Sequence, residues 1–272
     1  MGGRKFSNKY KKMKKTFRNK NKKAKRKHNI TYKNKNFNKL NCSPAVEGEP
    51  QAEDSCIPDD ILIQIRNEYN KDHLDNQIIS TQLNDIWHEL KNRLQCKSEK
   101  CWLEELDNED LKKKLEKTIF APDEPPEWKH NPDEWLSNYD IAAVLKQYAE
   151  SDKYKYFAFI EPSPIDFDAK PSDMGGECVE PELCEFTLKE YIKNKKTKIA
   201  IIFNLDKHNE SGSHWVSLFI DLDDKFIMYF DSGGDKIQSE IQKLVDRILK
   251  QALELNIQLI FDKTRIEHQF GN

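Results

Sequence analysis

"SGSHWVSLFIDLDDKFIMYFDSGGDK", residues 211–236, holds a histidine and an aspartate seventeen positions apart, each where a strand pattern meets a polar flank. Two runs, "HWVSLFIDL" and "KFIMYFDS", carry β-branched and aromatic residues in near alternation, and a tight acidic turn, "DLDD", joins them. That is the pattern of a β-hairpin. His214 opens the first run and Asp231 closes the second. In an antiparallel pair the start of one strand lies beside the end of the next, so the imidazole and the carboxylate can touch. A carboxylate in that position fixes the ring tautomer and stabilises the imidazolium that forms when the ring takes a proton. Spacing alone leaves two readings open, a surface pair or two members of a catalytic triad, and it names no nucleophile.

The flanking sequence supplies the rest of a domain. Upstream, "TKIAIIFNL" (197–205) is nearly all apolar in its middle and predicts a central strand. "YKYFAFI" predicts a shorter strand, followed by a proline-broken loop, "EPSPIDFD", and "FTLKEYIKNKK" predicts a helix. In "NPDEWLSNYDIAAVLKQYAE" a helix starts at a cap on Ser137 or Asn138. Downstream, Ile237, Ile241, Leu244, Val245, Ile248, Leu249, Ala252 and Leu253 share one face of a long helix, and "IQLIFDK" gives a last strand. This order predicts an α+β domain with a mixed central sheet flanked by helices, over 121–272. "SGG" (232–234) reads as a turn into the long helix, since it lacks the lysine and glycine spacing of a phosphate loop.

Residues 61–120 read as a helical accessory region of three or four helices. Starts are expected at Ser80 or Thr81, at Ser98 and at Asn108, with Trp87 and Trp102 as core residues. "APDEPPEW" (121–128) reads as an extended connector because its three prolines deny helix hydrogen bonds. Residues 41–60 read as an acidic linker. Residues 1–40 carry 17 Lys and Arg and no acid, whereas the remaining chain carries 28 basic and 47 acidic side chains. The tail is expected to be disordered and is a candidate nucleic-acid contact; the acidic body repels nucleic acid and anionic surfaces. No run approaches the length of a membrane span and no signal peptide opens the sequence, which makes an intracellular setting and reduced thiols the expectation. The spacings Cys96–Cys101 and Cys178–Cys184 are too loose to read as metal sites, and buried or free thiols are expected instead. No metal or cofactor is predicted. His208 is expected to lie exposed in a loop, and His268 is given no role.

The residues around the hairpin carry a resemblance. "HWVSLFID", then "MYFDS", then the late "HQFGN" resemble the Ulp1-like (C48-type) cysteine peptidases, a clan of SUMO-deconjugating enzymes, the adenovirus endopeptidase and proteases of large DNA viruses. "YFAFIEPSPIDFD" and "CWLEEL" look most like members from giant DNA viruses, and "WLSNYDI" (135–141) resembles the segment that opens the catalytic domain. The resemblance implies a papain-like/Ulp1-like fold over about 128–272. It implies His214 as general base, Asp231 as its orienting carboxylate, Gln269 as oxyanion donor, and Trp215 and Trp135 as walls of a substrate cleft. It also implies a protein substrate with a Gly-Gly-like cleavage site and a viral factory, virion or nucleus as the place of action. The family order of His, Asp, Gln, then Cys puts the nucleophile at the third position beyond Asn272, so the 272 residues are expected to lack it and to be inactive by themselves. The alternatives are a module that binds a Gly-Gly tail without cutting it, and a structural protein held to nucleic acid by its tail.

Overall fold

The computed structural model describes residue 37 and residues 40–49, 51–94 and 96–269. The expectation for the basic tail therefore lies almost wholly outside the described residues. The chain divides into two units, Met1–Asn38 and Lys39–Asn272. Everything below concerns the second.

Its centre is a five-stranded sheet in sequential order: β1 (Phe157–Pro164), β2 (Lys198–Asn204), β3 (Trp215–Asp221), β4 (Phe226–Phe230) and β5 (Ile260–Lys263). The two outer pairs are parallel and the two inner pairs antiparallel. The sheet is thus mixed, as expected for the α+β domain. The period-two alternation of β3 and β4 sends Val216, Leu218, Ile220, Ile227 and Tyr229 to one face, where all are buried. The long helix, Ser239–Glu254, covers that face with Ile241, Leu244, Val245 and Ile248. Phe219, Phe226 and Met228, on the opposite face, are only half buried.

Six further α-helices are present among the described residues of this unit. In chain order they are α1 (Asp59–Asp72), α2 (Leu83–Leu94), α3 (Glu109–Thr118), α4 (Asn138–Glu150), α5 (Pro181–Cys184) and α6 (Leu188–Lys193), with the long helix as α7. Ser137 caps α4 in a reciprocal box with Asp140, and the Asn108 side chain accepts from Leu111 N–H at 3.0 Å to start α3, both as the sequence indicated. The helical region has its own core of Leu62, Ile65, Ile86, Leu90, Trp87 and Trp102, the two indoles 5.7 Å apart edge to face. Buried Glu99 ties it to the chain entering from the N-terminal side, accepting from Trp87 Nε1 at 2.5 Å and from Cys56 N–H at 3.1 Å.

Three local expectations are corrected. "KSEKCWLEEL" forms a 3-10 segment, Glu99–Glu105, and not an α-helix. The proline-rich "EPSP" continues β1 instead of breaking it. β1 is an edge strand with an irregularity between Ile160 and Ser163, and at an edge a proline removes a donor that has no ladder partner. The cysteines are paired, Cys42 with Cys56, Cys96 with Cys101 and Cys178 with Cys184, at Cα separations of 5.0, 6.2 and 6.3 Å. Buried or free thiols were expected, because spacings of five and six residues say nothing about which way the side chains turn. No described helix is long and apolar enough to cross a membrane.

Candidate active site

His214 directly precedes β3 and Asp231 directly follows β4. Ser217 faces Phe230 in the ladder, so the two termini meet at one end of the sheet. His214 is in step with Val216 and Leu218, and Asp231 with Tyr229 and Ile227, which puts both side chains on the α7 face. There His214 Nε2 lies 2.8 Å from Asp231 Oδ1. A carboxylate can only accept, so Nε2 carries the proton, and Nδ1, with no partner among the described residues, keeps its lone pair. The imidazole is about a quarter exposed and the carboxylate 1% exposed. That asymmetry suits a group that exchanges protons at a cleft and a partner that only orients it.

Asp231 is held from several sides. Its Oδ1 also accepts from Gly233 N–H at 2.8 Å. The Thr264 hydroxyl, just after β5, lies 2.9 Å from Asp231 N–H and 3.1 Å from Asp231 carbonyl oxygen, closing both backbone groups at once. Burial, and then the charges of Asp231 and Asp235, push the hydroxyl of Tyr229 well above the ordinary tyrosine range. Neither Thr264 nor Tyr229 was singled out from sequence. Tyr229 reads as one more strand aromatic, and Thr264 meets Asp231 only through a contact 33 residues away.

The segment after β5 returns to the same place. His268 and Gln269 both donate backbone N–H groups to Ser232 carbonyl oxygen, at 2.7 and 3.0 Å. The Gln269 side-chain oxygen accepts from the Ser232 hydroxyl at 2.7 Å. Gln269 is thereby fixed next to the residue that follows Asp231. His268 stacks on Phe230 with ring centroids 5.7 Å apart. Gly234 permits this approach: its φ is +73°, and a Cβ there would stand 2.9 Å from Glu267 N and 3.0 Å from Ile266 C.

Trp215, the next residue after His214, points to the other face of the sheet, and its Nε1 donates to Leu136 carbonyl oxygen at 3.0 Å. Trp215, Trp135 and Leu136 line a cavity of about 700 Å³ on the Trp215 face of the sheet, together with Pro162, Met174 and Gly212; His214 is not among its lining residues. Trp135 is about half exposed there. The structure thus brings His214, Asp231 and Gln269 to one end of the sheet, with both tryptophans lining the cavity next to it. The loop from Asp206 to Ser213 forms the rest of its wall. Asn204 Oδ1 accepts from Asp206 N–H at 2.9 Å and Ser213 N–H at 3.2 Å, and Asp206 accepts from Gly212 N–H at 3.0 Å. His208 lies exposed in this loop, as expected, and pairs through Nδ1 with Asp166 Oδ2 at 2.7 Å.

A mixed sheet with a long helix on one face and a histidine–aspartate pair at its end defines a protein of the cysteine-peptidase fold class. The ASFV pS273R protease has the same fold, with a TM-score of 0.57 over 85% of this chain and 79% of that one, at 19% identity. The chain belongs to the Vaccinia virus I7 processing peptidase family (C57), whose model matches residues 105–246. A protein of Acanthamoeba polyphaga mimivirus named thiol protease R355 is 30% identical over 117 residues, which are 42% of this chain and 34% of the relative. The chain therefore spans about a third of the length of that relative. Structures of the SUMO protease Ulp1 align over 52% of the chain at 20% identity with a TM-score of 0.34. The C48-type assignment from motif pieces is accordingly corrected to C57. A histidine–tryptophan step and an aspartate–serine step report a strand end and a turn, and short pieces of that kind do not separate families built on one scaffold.

Proposed function

We propose that this chain forms the base-and-cleft part of a thiol endopeptidase that cuts after Gly-containing, Gly-Gly-like sites. The substrate class is a viral structural precursor or a ubiquitin-like conjugate. The observation that carries the reading is the 2.8 Å contact between His214, about a quarter exposed, and buried Asp231, which leaves Nδ1 as a proton acceptor.

The chemistry follows from that arrangement. A cysteine thiol placed at Nδ1 gives up its proton, and the thiolate and imidazolium form an ion pair that Asp231 stabilises. The thiolate attacks the scissile carbonyl carbon. The Gln269 carboxamide is the donor for the resulting oxyanion, an interaction typically worth about 3 kcal/mol. The C–N bond breaks as His214 returns the proton to the leaving amine, and water then hydrolyses the thioester. Trp215 and Trp135 narrow the approach, which favours residues without side chains next to the cut. No step needs a metal or an organic cofactor. The viral names of the relatives support action in a viral factory or particle, and the tail of residues 1–40 is proposed as a nucleic-acid tether there.

A second reading is favoured by one observation. All six cysteines are paired with one another, so none offers a thiol to His214. On that reading the chain is a module that holds a Gly-Gly tail without cutting it. One probe separates the two: a peptide ending in a Gly-Gly vinyl sulfone, incubated with the protein and located by mass spectrometry. A covalent adduct on a cysteine supports the peptidase. Saturable binding without an adduct supports the module, and neither adduct nor binding removes both.

A further inference from the structure

Asp231 has two carboxylate oxygens, and the contacts above use one. Oδ1 accepts from His214 Nε2 and from Gly233 N–H. Oδ2 is buried with no hydrogen bond of ordinary geometry among the described residues, and the hydroxyl of Tyr229 is in the same condition, although that hydroxyl is close enough to Asp231 for a side-chain hydrogen bond to be among the causes that raise it. A buried carboxylate oxygen and a buried phenol are each costly to leave unpaired. The two residues stand two positions apart along one strand direction, hence on the same face, at 0% and 1% exposure. Around Tyr229 the core consists of apolar side chains, among them Leu218, Ile241, Leu244 and Val245, which offer neither group a partner. Burial, and then the neighbouring Asp231 and Asp235 charges, raise the phenol, which favours its protonated, donor form.

The geometry points to Tyr229 as a positioning residue: its hydroxyl donates to Asp231 Oδ2 and holds the carboxylate plane in the orientation from which Oδ1 receives the His214 proton. A carboxylate is free to turn about its own bond unless both oxygens are engaged. With Oδ2 held by the phenol, Oδ1 by two donors and the backbone by Thr264, Asp231 has one orientation, and His214 has one tautomer, with Nδ1 unprotonated. The value of this for catalysis rests on the peptidase reading; the contact itself does not.

The test is nuclear magnetic resonance on the whole chain, which needs no catalytic turnover. Tyr229→Phe keeps the ring and removes the donor. The expected result is a rise of about fivefold in the Nδ1–H form of His214 relative to the Nε2–H form, the factor that one ordinary hydrogen bond contributes. His208, which has its own carboxylate partner, stays as it was. A role in packing alone lowers stability and leaves the His214 tautomers in place, so an unchanged ratio overturns the proposal. The reciprocal variant, Asp231→Asn, moves the Cζ resonance of Tyr229 and leaves the other tyrosines unmoved; a Tyr229 resonance that does not shift overturns the proposal even where Y229F fails to fold. Failure to find peptidase activity alters none of these readouts, so a failed contact and a failed catalytic reading are told apart.

Discussion

Two histidine–aspartate pairs stand a few residues apart in this protein, at nearly the same distance, and their surroundings differ. His214 and Asp231 lie 2.8 Å apart at the end of the sheet; His208 and Asp166 lie 2.7 Å apart on the loop beside it. At the sheet end the carboxylate is 1% exposed, its backbone is closed by Thr264, and the ring nitrogen that remains is Nδ1. On the loop the carboxylate is 16% exposed, Nδ1 is the nitrogen consumed, and the same aspartate also accepts the backbone N–H of His208 at 2.9 Å. That second bond makes the loop pair a clasp holding the Asp206–Ser213 wall against β1. Distance alone does not distinguish a base from a clasp. Burial of the carboxylate, the supports behind it and the choice of nitrogen do.

The comparison breaks most visibly in turnover. D231N is expected to lower kcat/KM on a Gly-Gly peptide by roughly ten thousandfold, the scale seen when a triad carboxylate is replaced by its amide. D166N, which loosens the wall only, is expected to change it by less than about threefold, because exposed ion pairs contribute little. Similar losses in the two variants contradict the distinction.

Both regions also turn on a glycine in the left-handed region, Gly234 at φ +73° and Gly212 at φ +95°. A Cβ on Gly234 meets backbone atoms of residues 266 and 267, whereas one on Gly212 meets the side-chain amide of Asn204 at 2.7 Å. G234A is therefore expected to destabilise by roughly 3 kcal/mol, strain plus a backbone displacement that carries Gln269 with it. G212A is expected to cost about 1 kcal/mol, since an amide side chain gives way more readily than backbone. Urea unfolding of the two variants checks the order.

Smaller effects follow for the supporting hydroxyls. T264V removes a buried donor and acceptor from behind Asp231 and is expected to cost about 1.5 kcal/mol. S213A removes an exposed hydroxyl bonded to Asp206 and is expected to cost under about 0.5 kcal/mol. At the far end of β3, Asp221 supplies a reference outside both regions. Burial raises its carboxyl, but the N–H groups of Asp224 and Asp223 and the Lys198 ammonium outweigh burial, and the net shift is downward. A depressed folded value gives stability that is present above the ordinary carboxylate range and lost as pH falls through the folded value. D221N is expected to flatten that acid limb in pH-dependent unfolding while leaving the His214 tautomer untouched.

The sequence made the hairpin, its acidic turn, the capping box at Ser137 and the apolar stripe of α7 legible, because each is a local pattern written within a few residues. The proximity of His214 and Asp231 followed from hairpin geometry. Thr264 and the Asp166–His208 clasp escaped because they join residues 33 and 42 positions apart with no periodicity to mark them. The continuation of β1 through Pro162 and Pro164 escaped because edge position is a property of the sheet, not of the segment. The family within the fold class escaped for a related reason: the short motifs encode the site's geometry, which is common to several families.

The most direct test of the account is the ring tautomer of each histidine, read from side-chain nitrogen resonances of the neutral imidazoles in the whole chain. Opposite forms are expected: His214 protonated on Nε2, toward Asp231, and His208 protonated on Nδ1, toward Asp166. A His214 found protonated on Nδ1, or averaging between the two forms as a free imidazole does, would contradict the claim that this sheet end is built to present a base.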